Sequence, residues 1–230
     1  MHPQLPLPFK LQDVFNFENF IASDNEIVVQ ALKNPHESFI YLWGEAGTGK
    51  THLLQSACQH QTEQAGTACY LAAKEIATNP PSILEGLANL NLVCLDDIDT
   101  FFGQATWEEA LFNLFNQIKQ AKGRLVVSAS FSPQQVNIIL NDLKSRLNSG
   151  LPLNLTALND EDTIKVLQTR AQQLGLELNH ETARYLMTRF PRDINTLWGL
   201  LEQLDQASLA AQRKLTIPFL KTTLLNPLQL

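Results

Sequence analysis

The sequence lacks long apolar runs, an excess of basic residues and the layout of a secretory signal. No apolar segment approaches the roughly 18 residues that a membrane span requires, which excludes an integral membrane protein. The 17 Lys and Arg against 23 Asp and Glu give a formal charge of −6. This acidic balance is unlike that of proteins that grip duplex DNA with their own surface. Prolines interrupt the first eleven residues, so we expect no signal peptide there.

Cysteine is scarce as well. The three cysteines, Cys58, Cys69 and Cys94, are far apart in the chain, and each sits in an apolar run. Their odd number and their spacing exclude a disulfide framework and a zinc motif. A chain of 230 residues, 44% of them hydrophobic, buries enough surface to fold without such cross-links. We therefore expect a cytoplasmic protein with reduced, buried thiols.

Apolar strands alternate with helices in the first two thirds of the chain, which is typical of a parallel sheet covered on both faces. The predicted strands are Phe39–Trp43, Ala68–Ala72, Leu92–Leu95, Leu125–Val127 and Leu151–Leu155. The helices predicted between them are Thr51–Glu63, a helix capped by Ser82, Ala105–Ala121 and Gln134–Leu147. Four more helices are predicted after the last strand, over Asp160–Leu174, Glu181–Phe190, Ile194–Ala211 and Pro218–Leu225. The sequence thus predicts an extended arm (1–14), an α/β domain (15–156) and a small all-helical lid domain (157–230).

A phosphate-binding motif lies between the first predicted strand and the first predicted helix. Its eight residues match G-x-x-x-x-G-K-[ST] and are Gly44, Glu45, Ala46, Gly47, Thr48, Gly49, Lys50 and Thr51. Glycines let successive backbone N–H groups point at phosphate oxygens, and the helix N-terminus adds partial positive charge. In this pattern the lysine reaches the β- and γ-phosphates and the threonine hydroxyl binds Mg²⁺. A chance Gly-rich turn is the alternative, and the strand before it and the helix after it argue against chance.

Two acids follow the third predicted strand. Asp96 and Asp97 come directly after an apolar run, at the carboxyl edge of the sheet where open α/β folds bind ligands. We expect Asp96 to hold Mg²⁺, directly or through water, and Asp97 to orient an attacking water. Negative charge that only stabilises a helix N-terminus is the alternative.

Beyond these motifs, four segments resemble the DnaA branch of the AAA+ family. They are 17–25, the paired aspartates within Leu95-Asp-Asp-Ile98, and the C-terminal runs 203–208 and 211–219. The resemblance is strongest to the regulators within that branch that inactivate DnaA. It implies an AAA+ P-loop sheet with a helical lid, and no helix-turn-helix domain of the kind by which DnaA reads origin DNA.

The resemblance also implies roles for residues outside the two motifs. Ser128 matches the polar sensor 1 position, although Ser130 and Phe131 depart from the acidic and basic residues common there. Arg146 matches the arginine finger, which acts in a neighbour's nucleotide site, and Arg192 matches the sensor 2 arginine. His52, next to Thr51, is grouped with the nucleotide-binding residues, with a packing or capping role. The implied cofactors are ADP or ATP with Mg²⁺.

The arm carries one further motif. Gln4, Leu5, Leu7 and Phe9 resemble the hexapeptide that binds the β sliding clamp of DNA polymerase III. Prolines pre-set an extended backbone, which lowers the ordering cost of peptide capture. A frayed, Pro-rich end would look similar.

Together these expectations describe a regulator of replication initiation. It binds the sliding clamp and supplies Arg146 in trans to DnaA–ATP, so that hydrolysis leaves inactive DnaA–ADP, and it reaches DNA only through partners. Weak ATP hydrolysis of its own and a homo-oligomer are compatible with this description. The alternatives are a stand-alone AAA+ ATPase or loader and a DnaA-like initiator paralogue, against which the charge argues.

Overall fold

The computed structural model describes residues 15–191, 194–211 and 215–225. Its strands are β1 (Phe39–Trp43), β2 (Ala68–Ala72), β3 (Leu92–Asp96), β4 (Arg124–Ala129) and β5 (Leu151–Asn154). The helices of the α/β part are α1 (Glu26–Lys33), α2 (Lys50–Glu63), the single turn α3 (Ala73–Ile76), α4 (Ala105–Ala121) and α5 (Asn141–Asn148). After β5 come α6 (Asp160–Gln173), α7 (His180–Arg189), α8 (Ile194–Ala211) and α9 (Ile217–Leu225).

The five strands form one sheet in the order β2-β3-β4-β1-β5, and all the pairs are parallel. β1 lies inside the sheet, between β4 and β5, and Trp43 at its end pairs with Ala129 and Asn154. Because the strands are parallel, their carboxyl ends meet at one edge, and the loop between β1 and α2 lies at that edge. The parallel sheet with helices on both faces, followed by helices alone, confirms the predicted fold class.

Both faces of the sheet are buried, which explains the continuous apolar runs of its strands. Along β1, Tyr41 packs into the core that α4 and α5 cover, whereas Ile40 and Leu42 pack into the core under α1 and α2. A third core, built around Leu167, lies within the helices after β5. Helices α2 and α5 therefore lie on opposite faces of the sheet.

Two predicted helices were wrong in extent or type. The predicted helix Gln134–Leu147 is helical only from Asn141, because the backbone N–H groups of Ile139 and Leu140 bind the Glu108 carboxylate instead of helical carbonyls. The segment after Ser82 forms two short 3₁₀ turns rather than one helix. Gly86 separates the turns in a left-handed conformation with φ of 83°, which interrupts a helix.

The first two helices after β5 begin at side-chain caps. Asn159 accepts a hydrogen bond from the Asp162 backbone N–H (2.9 Å), and Asn179 caps α7 in the same way. Further back, buried Asn25 binds Thr156 through three hydrogen bonds: its amide donates to the carbonyl, and its oxygen accepts from the backbone N–H and the hydroxyl. This contact fastens the entry to α1 to the segment that leaves β5. The division into domains at residues 156 and 157 stays a prediction.

Within the described residues, no helix combines the length and the apolar character that crossing a membrane would need. All three cysteines are free thiols, but only Cys94 is buried, and Cys58 and Cys69 are half-buried. The expectation of three buried thiols is therefore wrong for two of them.

Candidate nucleotide-binding site

The loop between β1 and α2 has the tight backbone that its glycines predict. Gly49 has a φ of 99°, and a Cβ atom there would lie 2.9 Å from the Phe20 ring. A Cβ atom at Gly44 would overlap the carbonyl oxygen of Leu155, just after β5. Glycine alone tolerates the left-handed φ at position 49 and the close approach of backbone at position 44. The loop is thus held between the entry segment and the last strand.

The lysine of this loop is buried. Lys50 begins α2, is 7% exposed, and its Nζ donates to the carbonyl oxygens of Gly44 (2.8 Å) and Glu45 (3.0 Å). Thr48, also buried, donates through its hydroxyl to the Glu45 carbonyl (2.9 Å). An ammonium group bound only by neutral carbonyls lacks an anion, and a phosphate oxygen supplies one.

Asp96 collects three hydroxyl donors at the end of β3. Thr51 and Tyr70 donate to its Oδ2, at 2.6 Å and 2.8 Å, and Ser128 donates to its Oδ1. Asp96 is 3% exposed and Ser128 fully buried. Burial, and next the charge of Asp96, raise the pKa of the Tyr70 phenol well above its ordinary value. The phenol therefore stays protonated and acts as a donor.

Asp97 faces a different set of groups. Its backbone adopts a left-handed conformation with φ of 53°, and its N–H donates to the Ser128 hydroxyl (2.8 Å). Its carboxylate accepts from Lys74 Nζ at 2.6 Å. The hydrogen bond and charge of Asp97 raise the pKa of Lys74. The two acids that are adjacent in sequence therefore serve separate networks, which Ser128 connects.

A cleft opens beside the loop, between the entry segment and α6 and α8. Its walls include Phe15, His52, Arg170 and Trp198, together with the loop glycines. The empty space of the cleft, including its open mouth, is about 680 Å³. The indole Nε1 of Trp198 is buried there and has no hydrogen-bond partner within the described residues. The sequence interpretation assigned Trp198 to a core or an interface, because a lone tryptophan gives no signal of a ligand.

His52 connects the cleft to the entry segment. Its Nε2 lies 3.0 Å from the Asn16 carbonyl oxygen, and its ring contacts the rings of Phe15 and Phe20. Burial lowers the pKa of His52, so the imidazole is neutral at neutral pH. These contacts fit the packing role that the sequence suggested.

Arg146 lies away from this cleft. It belongs to α5, on the sheet face opposite α2, and its guanidinium lies 5.7 Å from the centre of the Phe115 ring. Glu108, fully buried on α4, accepts from the N–H groups of Gly103, Ile139 and Leu140 and so fixes the start of α5. Sequence reasoning missed Glu108, since a lone glutamate on a helix looks like a surface residue. Arg192 and the arm residues Gln4, Leu5, Leu7 and Phe9 lie outside the described residues.

The described residues contain no cluster of three or more His, Cys, Asp or Glu side chains that would hold a metal by themselves. Thr51 and Asp96 nevertheless offer oxygen atoms only, the donors that Mg²⁺ prefers. Mg²⁺ commonly binds one or two such groups together with substrate phosphates. The residues therefore fit a Mg²⁺ ion that arrives with a nucleotide.

Comparison with known families identifies the family of this chain. The sequence profile of the bacterial DnaA ATPase domain matches residues 11–154. The chain belongs to the bacterial DnaA ATPase-domain family. A second profile, described as the lid domain of Hda, matches residues 160–224. The protein is thus a DnaA-related AAA+ protein with an Hda-like lid, as the sequence predicted.

Solved structures agree with this fold. Domain III of the replication initiation protein DnaA from Thermotoga maritima matches with a TM-score of 0.81 at 18% identity, over 96% of this chain and 100% of that chain. AMPPCP-bound DnaA from Aquifex aeolicus matches with a TM-score of 0.67 at 24% identity, over 84% and 65% of the two chains. The Thermotoga maritima RuvB branch migration motor matches with a TM-score of 0.68 at 16% identity, over 91% and 71%. At these identities the similarity establishes the fold.

Proposed function

We propose that this DnaA-related replication regulator binds ATP or ADP with Mg²⁺ and stimulates ATP hydrolysis by DnaA. The observation that carries the proposal is the division of the molecule into two polar sites. One, around Lys50 and Asp96, is built to receive a triphosphate or diphosphate. The other presents Arg146 on the opposite face of the sheet, where it serves a neighbour's nucleotide.

Nucleotide binding is supported by the groups at the loop. The backbone N–H groups of 44–51 and the Lys50 ammonium would contact phosphate oxygens, and Thr51 and Asp96 would hold Mg²⁺. The ion neutralises charge on the phosphates when it is bound. The cleft lined by His52 and Trp198 adjoins the loop, and its aromatic walls suit a nucleoside base.

The role in trans is supported by the position and freedom of Arg146. Among the ion pairs of the described residues, none includes Arg146. Arg146 is half-buried and its guanidinium packs on the Phe115 ring, so its direction is defined although no ion pair with a described residue holds it. An arginine delivered in this way neutralises the charge that develops on a transferred phosphoryl group. DnaA–ATP is the proposed recipient, and DnaA–ADP the product.

Two further elements of the proposal rest on the sequence alone. Gln4, Leu5, Leu7 and Phe9 would hold the protein to the sliding clamp, which raises its local concentration beside DnaA. Arg192 would contact the nucleotide from the lid.

The deciding experiment measures hydrolysis of ATP bound to DnaA with the protein alone, with clamp-loaded DNA alone, and with both. We expect fast conversion to DnaA–ADP only when both are present. Hydrolysis by the protein without DnaA that rises with its own concentration would instead support a stand-alone ATPase. The Asp97 carboxylate, already bound by Lys74, leads us to expect little hydrolysis of that kind.

A further inference from the structure

Tyr70 is an unexpected member of the Asp96 network. It lies on β2, where it pairs with Cys94 of β3, and its hydroxyl reaches along the sheet to Asp96 Oδ2 at 2.8 Å. Its ring packs against the core under α1 and α2. Tyr70 lies outside the phosphate-binding motif of residues 44–51 and stands 26 positions before Asp96 in the chain.

The hydrogen bonds at Asp96 leave little freedom to its carboxylate. An ionised carboxylate offers about four acceptor positions on its two oxygens. Thr51 and Tyr70 occupy two on Oδ2, and Ser128 occupies one on Oδ1. The orientation of the carboxylate is therefore fixed from three sides, with acceptor capacity left on Oδ1. Since Thr51 donates its proton to Asp96, the lone pairs of its own oxygen stay free for a cation.

We propose that Tyr70 is a positioning residue for the Mg²⁺ that accompanies the nucleotide, because its hydroxyl holds Asp96 beside Thr51 before the ligand arrives. This inference rests on the nucleotide binding proposed above. Partners that orient a metal ligand in this way commonly change metal affinity by about 10- to 100-fold when they are removed. The effect belongs to the hydroxyl and not to the ring.

The substitution Tyr70→Phe separates these two contributions, since it removes the hydroxyl and keeps the ring in its core. The experiment titrates the full chain with a fluorescent ATP analogue in excess MgCl₂ and again in EDTA. For Tyr70→Phe we expect the strengthening of binding by Mg²⁺ to fall about tenfold, while the affinity in EDTA stays within about twofold of the wild type. A purely structural role would change both affinities alike.

Tyr41→Phe is the matched control. Tyr41 is a fully buried tyrosine on β1, and its hydroxyl donates to the Phe131 carbonyl (3.0 Å) rather than to a carboxylate. Its loss should leave the Mg²⁺ effect unchanged. Far-ultraviolet circular dichroism verifies folding, and Tyr70→Leu serves as a second variant that lacks the hydroxyl.

A double substitution tests whether Tyr70 acts through Asp96. In the Asp96→Asn background, Tyr70→Phe should change the Mg²⁺ effect no further; an additional loss there would overturn the proposal. The proposal would also be overturned if both Tyr70→Phe and Tyr70→Leu bound the nucleotide and Mg²⁺ strengthened that binding as much as it does in the wild type. Failure of the wild-type chain to bind fluorescent analogues of both ATP and ADP would instead refute the proposed nucleotide binding on which this inference rests.

Discussion

The phosphate loop and helix α5 lie on opposite faces of one sheet, and their charged groups are satisfied in different ways. At the loop, Lys50 binds backbone carbonyls and Asp96 binds three hydroxyls. On α5, Arg146 packs on the Phe115 ring and has no carboxylate partner within the described residues. The charged groups of the loop are thus bound within the loop and the sheet, whereas no carboxylate of the described residues binds Arg146.

Because the two sites depend on separate sets of contacts, a substitution that disables one should spare the other. The loop depends on contacts among neighbours in space at the sheet edge, and α5 depends on its anchorage to α4. A substitution on one side should therefore leave the function of the other side in place. The following substitutions test that separation.

The largest effect is expected from Arg146→Ala. Removing an arginine finger costs about 10³-fold or more in rate, so stimulated hydrolysis by DnaA should fall by about that factor in a single-turnover assay. Nucleotide affinity of the variant should match the wild type. Lys144→Ala on the same helix is the control, and equal losses from both substitutions would contradict the assignment of the finger.

A smaller effect is expected from Lys50→Ala. Loss of a buried charge from a charged contact costs about 2–5 kcal/mol, so nucleotide affinity measured by isothermal titration should fall roughly 100-fold. Exposed Lys119→Ala should have no effect. An unchanged nucleotide affinity in Lys50→Ala would contradict the assignment, because the loop would then not be the nucleotide-binding site.

Glu108→Ala tests the anchorage of α5. The substitution leaves three backbone N–H groups without their acceptor, and we expect the free energy of unfolding in urea to drop by about 3 kcal/mol. The adjacent, exposed Glu109→Ala should stay within about 0.5 kcal/mol of the wild type. Stimulation of DnaA should weaken in Glu108→Ala while nucleotide affinity holds. Equal destabilisation by both substitutions would argue against a specific role for the buried carboxylate.

The smallest effect concerns pH. Burial lowers the pKa of His52 below its ordinary 6.5, so the unfolded chain binds this proton more tightly than the folded chain. The neutral His52 imidazole therefore contributes fully to the free energy of unfolding above pH 6.5, and this contribution is lost as the pH falls below that value. Urea unfolding at about pH 7.5 and about pH 5.5 should show a shallower loss for His52→Gln than for the wild type. An unchanged slope in His52→Gln would refute the assignment.

Sequence reasoning predicted the parts of the site that local chemistry dictates. The glycine spacing and the apolar strand before Asp96 each encode their structure within a few residues. Tyr70 and Glu108 carry no such signal, because their partners are distant in the chain and become neighbours only in the folded sheet. The same cause spoiled the helix predicted from Gln134: its apolar spacing is helical, but the distant Glu108 binds two of its N–H groups.

The three hydrogen bonds between Asn25 and Thr156 restrict how the lid helices can move. These hydrogen bonds hold Thr156 to the α/β part of the molecule. Only residues 157–159 therefore connect this fixed point to α6, which begins at Asp160. Three extended residues span about 10 Å at most. Any movement of α6 relative to the sheet would therefore have to be absorbed within this short connection.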